Sequence, residues 1–327
     1  MISPFIDAHV HLNTISPEKM DMAIKYGASF LSINTDIPFF NSLDDQRETA
    51  VELSDKYPGK VKFITSFSVA NWQDRGWSDQ AIAQIKTGLD AGAVGVKIWK
   101  NIGMELRDLQ GNFIMLDHKS FDPVFDFLEE HDILVLGHLG EPRNCWLPLD
   151  EMTVDSDRDY FSQHPEYHMH LHPEYPSYAQ QLTARDERLK KHPKLRFVGL
   201  HLASLEWSIA KVGNWLDSFP LAMTDLAERI CHLQYQTHSD REGVRDFIIK
   251  YQDRIIYGTD VIDDGAKPGS EVASRLEALW DFHWRFFSGD QDMTAPEFTG
   301  SFQGLDLHKD VLVKIFYSNA AKLYSFL

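Results

Sequence analysis

Short apolar runs recur along the chain with little polar alternation, and amphipathic stretches separate them. Eight such runs stand out: Phe5–His11, Ser29–Thr35, Val61–Phe67, Ala93–Trp99, Ile133–His138, Leu195–His201, Leu221–Asp225 and Arg254–Asp260. An apolar run without alternation predicts a strand covered on both faces, as in a parallel sheet. The stretches between them carry readable helix starts. Ser16-Pro17 offers an N-cap and a first-turn proline, and Gly27 lies just past that helix's end. Ser78 precedes Ile82, Ile85 and Leu89 on one face, and Asp122-Pro123 opens a helix packing Val124, Phe127 and Leu128.

Alternation of this kind implies right-handed crossovers. Eight units predict a closed α/β fold, the (β/α)8 TIM barrel, which typically takes about 250 residues. The chain has 327, and the excess falls mainly between the fifth and sixth runs. Residues 139–194 are rich in Pro, His, Tyr and Asp and lack a clean period until Ala179–Lys191. An insertion after a strand's C-terminal end overhangs the mouth of such a barrel. The pattern therefore predicts a single barrel domain over residues 1–327, with residues 143–194 as a lid inserted after the fifth strand.

Composition narrows the partners. Hydrophobic residues make up 43% and aromatics 12%, enough for a sizeable core. A formal net charge of −17 argues against nucleic acid or an anionic membrane as partner. A small anionic substrate stays compatible, because a metal and a few arginines reverse the field locally. Two cysteines, Cys145 and Cys231, form no disulfide framework and suit a reducing compartment. The first strand begins by Pro4, leaving no room for a signal peptide, and no apolar run approaches the roughly 20 residues of a membrane span. The expectation is a cytoplasmic protein that handles a small molecule.

Chemistry gathers where the predicted strands end. His9 and His11 lie two apart on the first strand, so they face the same way, roughly 7 Å apart along it. That pitch suits two imidazoles approaching one metal ion. The fifth and sixth strands end in His138 and His201, and the eighth in Asp260. The fourth ends Val94-Gly95-Val96-Lys97, matching the sixth in its Gly-x-basic ending, which sets Lys97 at the height of His201. Each has an ordinary structural explanation. A strand-end histidine commonly serves a loop hydrogen bond, Asp260 can cap a turn, and Lys97 can pair with a carboxylate. Convergence of several strand ends on one chemistry favours the functional reading.

These residues resemble the amidohydrolase superfamily, in its amidohydrolase-2-like branch of metal-dependent barrel enzymes. The resemblance rests on Phe5-Ile6-Asp7-Ala8-His9-Val10-His11, His138, His201, Tyr257-Gly258-Thr259-Asp260, and the closing Ile315–Leu323 segment. It implies one divalent metal held by His9, His11, His138 and Asp260, with Zn2+ the first expectation. It also implies that hydroxide formed at the metal attacks the substrate. Asp260 would then move the proton, and His201 would orient the hydroxide or polarise the scissile carbonyl. In binuclear members a carboxylated lysine on the fourth strand bridges two metals, which maps to Lys97.

Arg143 and Glu141 directly follow the fifth strand and Trp99 the fourth, making them candidate substrate contacts. Arg143 is the candidate carboxylate clamp, with a surface salt bridge as its alternative. Asp7, two residues before His9, is a candidate to orient a ligand imidazole. The lid histidines His164, His168, His170 and His172 read as structural or substrate-contacting. Cys145 reads as a buried neutral thiol. The aromatic cluster Trp280–Phe287 suggests either a subunit contact in a homo-oligomer or a buried helix. Three functions remain open: a metal-dependent hydrolase of a lactone, ester or amide, a decarboxylase or hydratase on the same scaffold, and a non-catalytic ligand-binding barrel.

Overall fold

The computed structural model describes residues 3–326. All eight expected runs carry strands: β1 (Phe5–Leu12), β2 (Ala28–Ile33), β3 (Val61–Ser66), β4 (Val96–Ile98), β5 (Val135–Gly137), β6 (Phe197–Gly199), β7 (Ala222–Asp225) and β8 (Ile255–Ile256). A further strand, β9 (Val261–Asp263), follows at once. The nine form one sheet in the order β8-β7-β6-β5-β4-β3-β2-β1-β9, every neighbouring pair parallel. β8 and β9 are two halves of one stave, the first pairing β7 and the second pairing β1. Between them the Ala8 amide donates to the Tyr257 carbonyl at 3.0 Å, and the Asp260 amide to the His9 carbonyl at 2.7 Å. The sheet thus closes as a TIM barrel.

Both faces of the staves are apolar, as the lack of alternation requires. Ile6, Ala8, Leu31, Ile33, Ile64, Leu136, Val198 and Ile256 fill the barrel interior, while Phe5, Val10, Leu12 and Phe30 pack under the helices. One strand breaks its own period. Along β1, Asp7 lies opposite Phe30 but Val10 opposite Ser32, so three steps on β1 answer two on β2. This bulge inserts one residue and reverses the alternation. Ile6 and Ala8 point inward before it; His9 and His11 point inward after it.

The segment between β5 and β6 is built of short 3-10 turns around two helices, Asp155–Gln163 and Tyr178–Lys191. Cys145, Met152, Phe161 and Met169 form a small core of their own with Met104. The second helix starts with a capping box from Ser177 and Gln180 and buries two arginines. Arg188 donates to the Leu116 carbonyl at 3.0 Å and to Asp122 at 2.6 Å, fastening the segment's return to the barrel.

The aromatic cluster is covered from within. Trp280 packs edge-on against Phe5 at 5.1 Å between ring centres. Phe286 meets Phe302 of a hairpin formed by β10 (Asp292–Thr294) and β11 (Ser301–Gln303), and Phe287 meets Phe316. Those rings need no subunit partner to shield them. Among the described residues, no helix is long and apolar enough to cross a membrane.

Candidate active site

The bulge in β1 delivers His9 and His11 to the C-terminal mouth of the barrel, and the split eighth stave delivers Asp260 between them. Asp260 Oδ1 lies 3.1 Å from His9 Nε2 and 3.3 Å from His11 Nε2. Gly258 permits this approach, because a Cβ there would stand 2.7 Å from the His9 Cβ. Asp260 itself adopts a left-handed φ of 65°. β5 and β6 add His138 and His201, whose ring centres are 4.2 Å apart, and His201 is 4.9 Å from His9.

Three of the four imidazoles are held by their Nδ1 atoms. His9 Nδ1 meets Asp225 Oδ2 at 2.6 Å, His11 Nδ1 the Ile33 carbonyl at 2.7 Å, and His201 Nδ1 the Ala227 carbonyl at 3.0 Å. Each of these oxygens can only accept, so each Nδ1 carries a proton, and in a neutral ring Nε2 turns its lone pair inward. Burial pushes the His11, His138 and His201 pKa values down, for His138 and His201 well below the ordinary histidine range, keeping them neutral. Burial also works against charge on His9, but Asp260 and Asp225 outweigh it and raise the imidazole to about 9. For Asp260, burial favours the neutral acid, yet the His9 charge and the His11 and His9 contacts hold it well below the usual carboxylate range.

This donor set fits a divalent cation. His9 Nε2 and Asp260 Oδ1 are buried without a hydrogen-bond partner, and donor atoms of His9, His11 and Asp260 all lie within 4.8 Å of one another. Orphaned buried acceptors are costly; a cation between them satisfies both and replaces the proton His9 otherwise holds. His9, His201 and Asp225 also cluster within 4.8 Å. Both Asp225 oxygens are already engaged, one by His9 and the other by the His201 amide at 2.5 Å. Asp225 therefore positions ligands.

The sequence reasoning missed Asp225, although the run Leu221–Asp225 ends in a carboxylate just as the eighth run does. It gave the orienting role to Asp7, and the structure corrects this. The bulge turns Asp7 outward, where it accepts from the Thr259 amide at 2.9 Å, the Thr259 hydroxyl at 2.7 Å and Trp280 Nε1 at 2.9 Å.

Lys97 is buried beside the cluster and lines one cavity together with His11, His138, His201 and Asp260. Burial lowers its ammonium pKa to about 8, with Asp260 and Asp225 opposing the fall. Trp99 and Glu141 line the same cavity, and Glu141 is ion-paired with Lys100. Arg143 is not brought there. Its guanidinium stacks 4.2 Å from the Trp207 ring centre, and its backbone amide donates to Glu206 at 2.7 Å. A 3-10 turn over Arg143–Trp146 carries the side chain away from the mouth. Tyr160, Tyr167 and Met169 of the inserted segment line the cavity wall. Its histidines do not converge: His168 Nε2 contacts the Leu147 carbonyl and His172 Nε2 the Pro165 carbonyl. The Cys145 thiol, pushed up by burial, donates to the Tyr167 carbonyl.

The sequence pattern of the Amidohydrolase family matches residues 6–326. The chain belongs to the amidohydrolase family. This amidohydrolase also resembles solved barrels over nearly its full length. The 2,6-dihydroxybenzoate decarboxylase from Rhizobium is 13% identical with a TM-score of 0.56, covering 99% of each chain. An uncharacterised TIM-barrel protein from Bordetella bronchiseptica is 15% identical with a TM-score of 0.55, covering 98% of each. The 4-oxalomesaconate hydratase from Rhodopseudomonas palustris is 11% identical with a TM-score of 0.52, covering 98% of this chain and 96% of that one. At these identities the likeness shows the fold. No curated protein matches. Membership makes this amidohydrolase an enzyme of a metal-dependent family, which sets aside a non-catalytic barrel.

Proposed function

We propose that this amidohydrolase hydrolyses a C–O or C–N bond (lactone, ester or amide) of a small carboxylate-bearing substrate. One divalent cation, with Zn2+ as first expectation, would be held by His9, His11, His138 and Asp260. The observation that carries this reading is that the inward Nε2 atoms of His9 and His11 meet one oxygen of Asp260 at 3.1 and 3.3 Å. Neutral imidazoles and one carboxylate are the ligands zinc favours. When bound, the cation lowers the pKa of a water molecule and polarises the bond under attack.

The protein's own groups do the rest. Asp260, ionised at neutral pH, takes the proton of the attacking water on a carboxylate oxygen and returns it to the leaving oxygen or nitrogen. His201, fixed through Nδ1 to the Ala227 carbonyl, keeps Nε2 free to orient the water or the scissile carbonyl. Asp225 holds His9 and the His201 backbone in one frame. Trp99, Tyr160 and Tyr167 line the mouth, where their rings flank a bound substrate. A carboxylated Lys97 would support a second cation, and its lowered pKa leaves part of it as the free amine such a modification requires.

Decarboxylation is the second reading, favoured by the aromatic wall around His138. A carboxylate loses its charge as CO2 departs, and a dry apolar setting assists that loss. The test is metal content by elemental mass spectrometry, followed by product analysis on lactones, aryl esters, amides and aromatic acids. We expect about one cation per chain and uptake of one water per turnover. CO2 release without water uptake would transfer the assignment to the lyase reading, and two cations per chain would implicate Lys97.

A further inference from the structure

The mouth is divided. One cavity, about 490 Å³, holds Asp260, His11 and His201 at its floor and has Phe39, Trp99 and Tyr167 among its walls. A second, about 430 Å³, lies beside it and carries Arg229, Arg275, Asp157 and Glu228. The two share only four residues, Lys100, His138, Glu141 and Tyr160, so they meet at a candidate ligand and at the Lys100–Glu141 ion pair.

The two lobes differ in what they can recognise. The first offers flat aromatic faces, with Phe39 71% and Tyr167 53% exposed at its rim, surface suited to a planar ring. The second is lined by charged groups, with Lys100, Arg229 and Arg275 set among Glu141, Asp157, Glu228 and Glu297. Among the described residues neither Arg229 nor Arg275 has a carboxylate within 4.0 Å of its guanidinium nitrogens. Arg229 makes one hydrogen bond, to the Glu228 carbonyl at 3.1 Å. Asp157, Glu206 and Glu228 stand farther off and keep Arg229 firmly charged against the effect of burial. An arginine fork left open over a cavity matches a carboxylate. The clamp assigned to Arg143 from sequence therefore falls to residues beyond β7.

A decarboxylase substrate presents one body and loses only CO2. Two lobes of similar size meeting at His138 suit a molecule that separates into two parts. We propose that the substrate is a two-part amide or ester, a planar aromatic acid joined to a small carboxylate-bearing amine or alcohol, with the ring in the Trp99–Tyr167 lobe and the carboxylate on Arg229 and Arg275. This rests on the hydrolytic reading of the same site. Water adds its hydroxyl to the acyl carbon and its proton, by way of Asp260, to the departing nitrogen or oxygen; the acyl–heteroatom bond breaks and no redox partner is needed.

The test is calorimetric binding to the metal-containing protein as purified, with benzamide, N-acetylglycine and N-benzoylglycine as probes. Benzamide and N-acetylglycine share the amide that meets Asp260 and should compete, whereas N-benzoylglycine, which alone fills both lobes, should bind about 100-fold more tightly than either. Arg229→Gln should weaken N-acetylglycine and N-benzoylglycine about tenfold, the order of one charged hydrogen bond, while leaving benzamide unchanged. Tyr167→Ser, at an exposed position, should weaken benzamide and spare N-acetylglycine. N-benzoylglycine that binds no more tightly than either fragment, or an Arg229→Gln protein that binds N-acetylglycine as before, would overturn the proposal. The reaction reading fails separately: CO2 release from an aromatic acid would remove hydrolysis whatever the fragments do.

Discussion

Asp225 bears on the site more directly than any residue outside the candidate ligands. It holds the Nδ1 proton of His9 and the backbone amide of His201 on its two oxygens, so it fixes which His9 nitrogen faces inward. Asp225→Asn presents an amide in place of a pure acceptor and loosens that choice. We expect metal affinity to fall about 10- to 100-fold with the fold retained, read by competition with a chelator and by circular dichroism. Unchanged affinity would remove the positioning role. This residue also shows where sequence reading stops. His9, His11, His138, His201 and Asp260 were legible because each sits at the end of an apolar run, and strand ends converge in a barrel. Asp225 ends a run as well, but nothing in one-dimensional order says that its oxygens reach across 216 positions to His9. Asp7 looked better placed, and a single inserted residue in β1 turned it to the other face.

The inserted segment is fixed to the barrel at its return helix, Tyr178–Lys191. That helix buries charge where a core-facing helix ordinarily buries hydrocarbon. Arg188 is 1% exposed and answers the Leu116 and His118 carbonyls as well as Asp122. Removing the guanidinium leaves these acceptors unsatisfied in a dry setting. Arg188→Met should cost about 3–5 kcal/mol of stability, measured by urea denaturation; a loss below about 1 kcal/mol would mean that water replaces the arginine there. This helix was the part of the segment with a readable period; what precedes it looked irregular because much of it is short 3-10 turns, too brief to set up a repeating apolar face. The strands were the opposite case. Apolar on both sides, they announced themselves, and only the division of the eighth stave into β8 and β9 was hidden, since Tyr257–Asp260 continues the same run.

At the scale of the molecule, the candidate ligands tie β1, β5 and the last stave together across the closing seam of the barrel. A cation bound there stabilises the closed form and not the unfolded chain. Stripping it should therefore lower Tm, by about 4 °C if the free cation had stood 100-fold above its Kd. Adding back Zn2+ or Mn2+ should restore it, as differential scanning calorimetry would show; an unchanged Tm would argue against a site spanning the seam. The eight-unit count gave the closed barrel, whereas the sorting of the mouth into an aromatic and a charged lobe depends on loops from distant parts of the chain. The split stave has a temporal consequence. His9 and His11 emerge from the ribosome first, but the carboxylates that complete their surroundings arrive more than 200 residues later. Until Asp260 has been made and β9 has paired with β1, the growing chain offers a metal the candidate histidines without their carboxylate. Metal capture is thus tied to completion of synthesis, and a stalled or truncated chain compares poorly with the finished enzyme in any contest for a scarce cation.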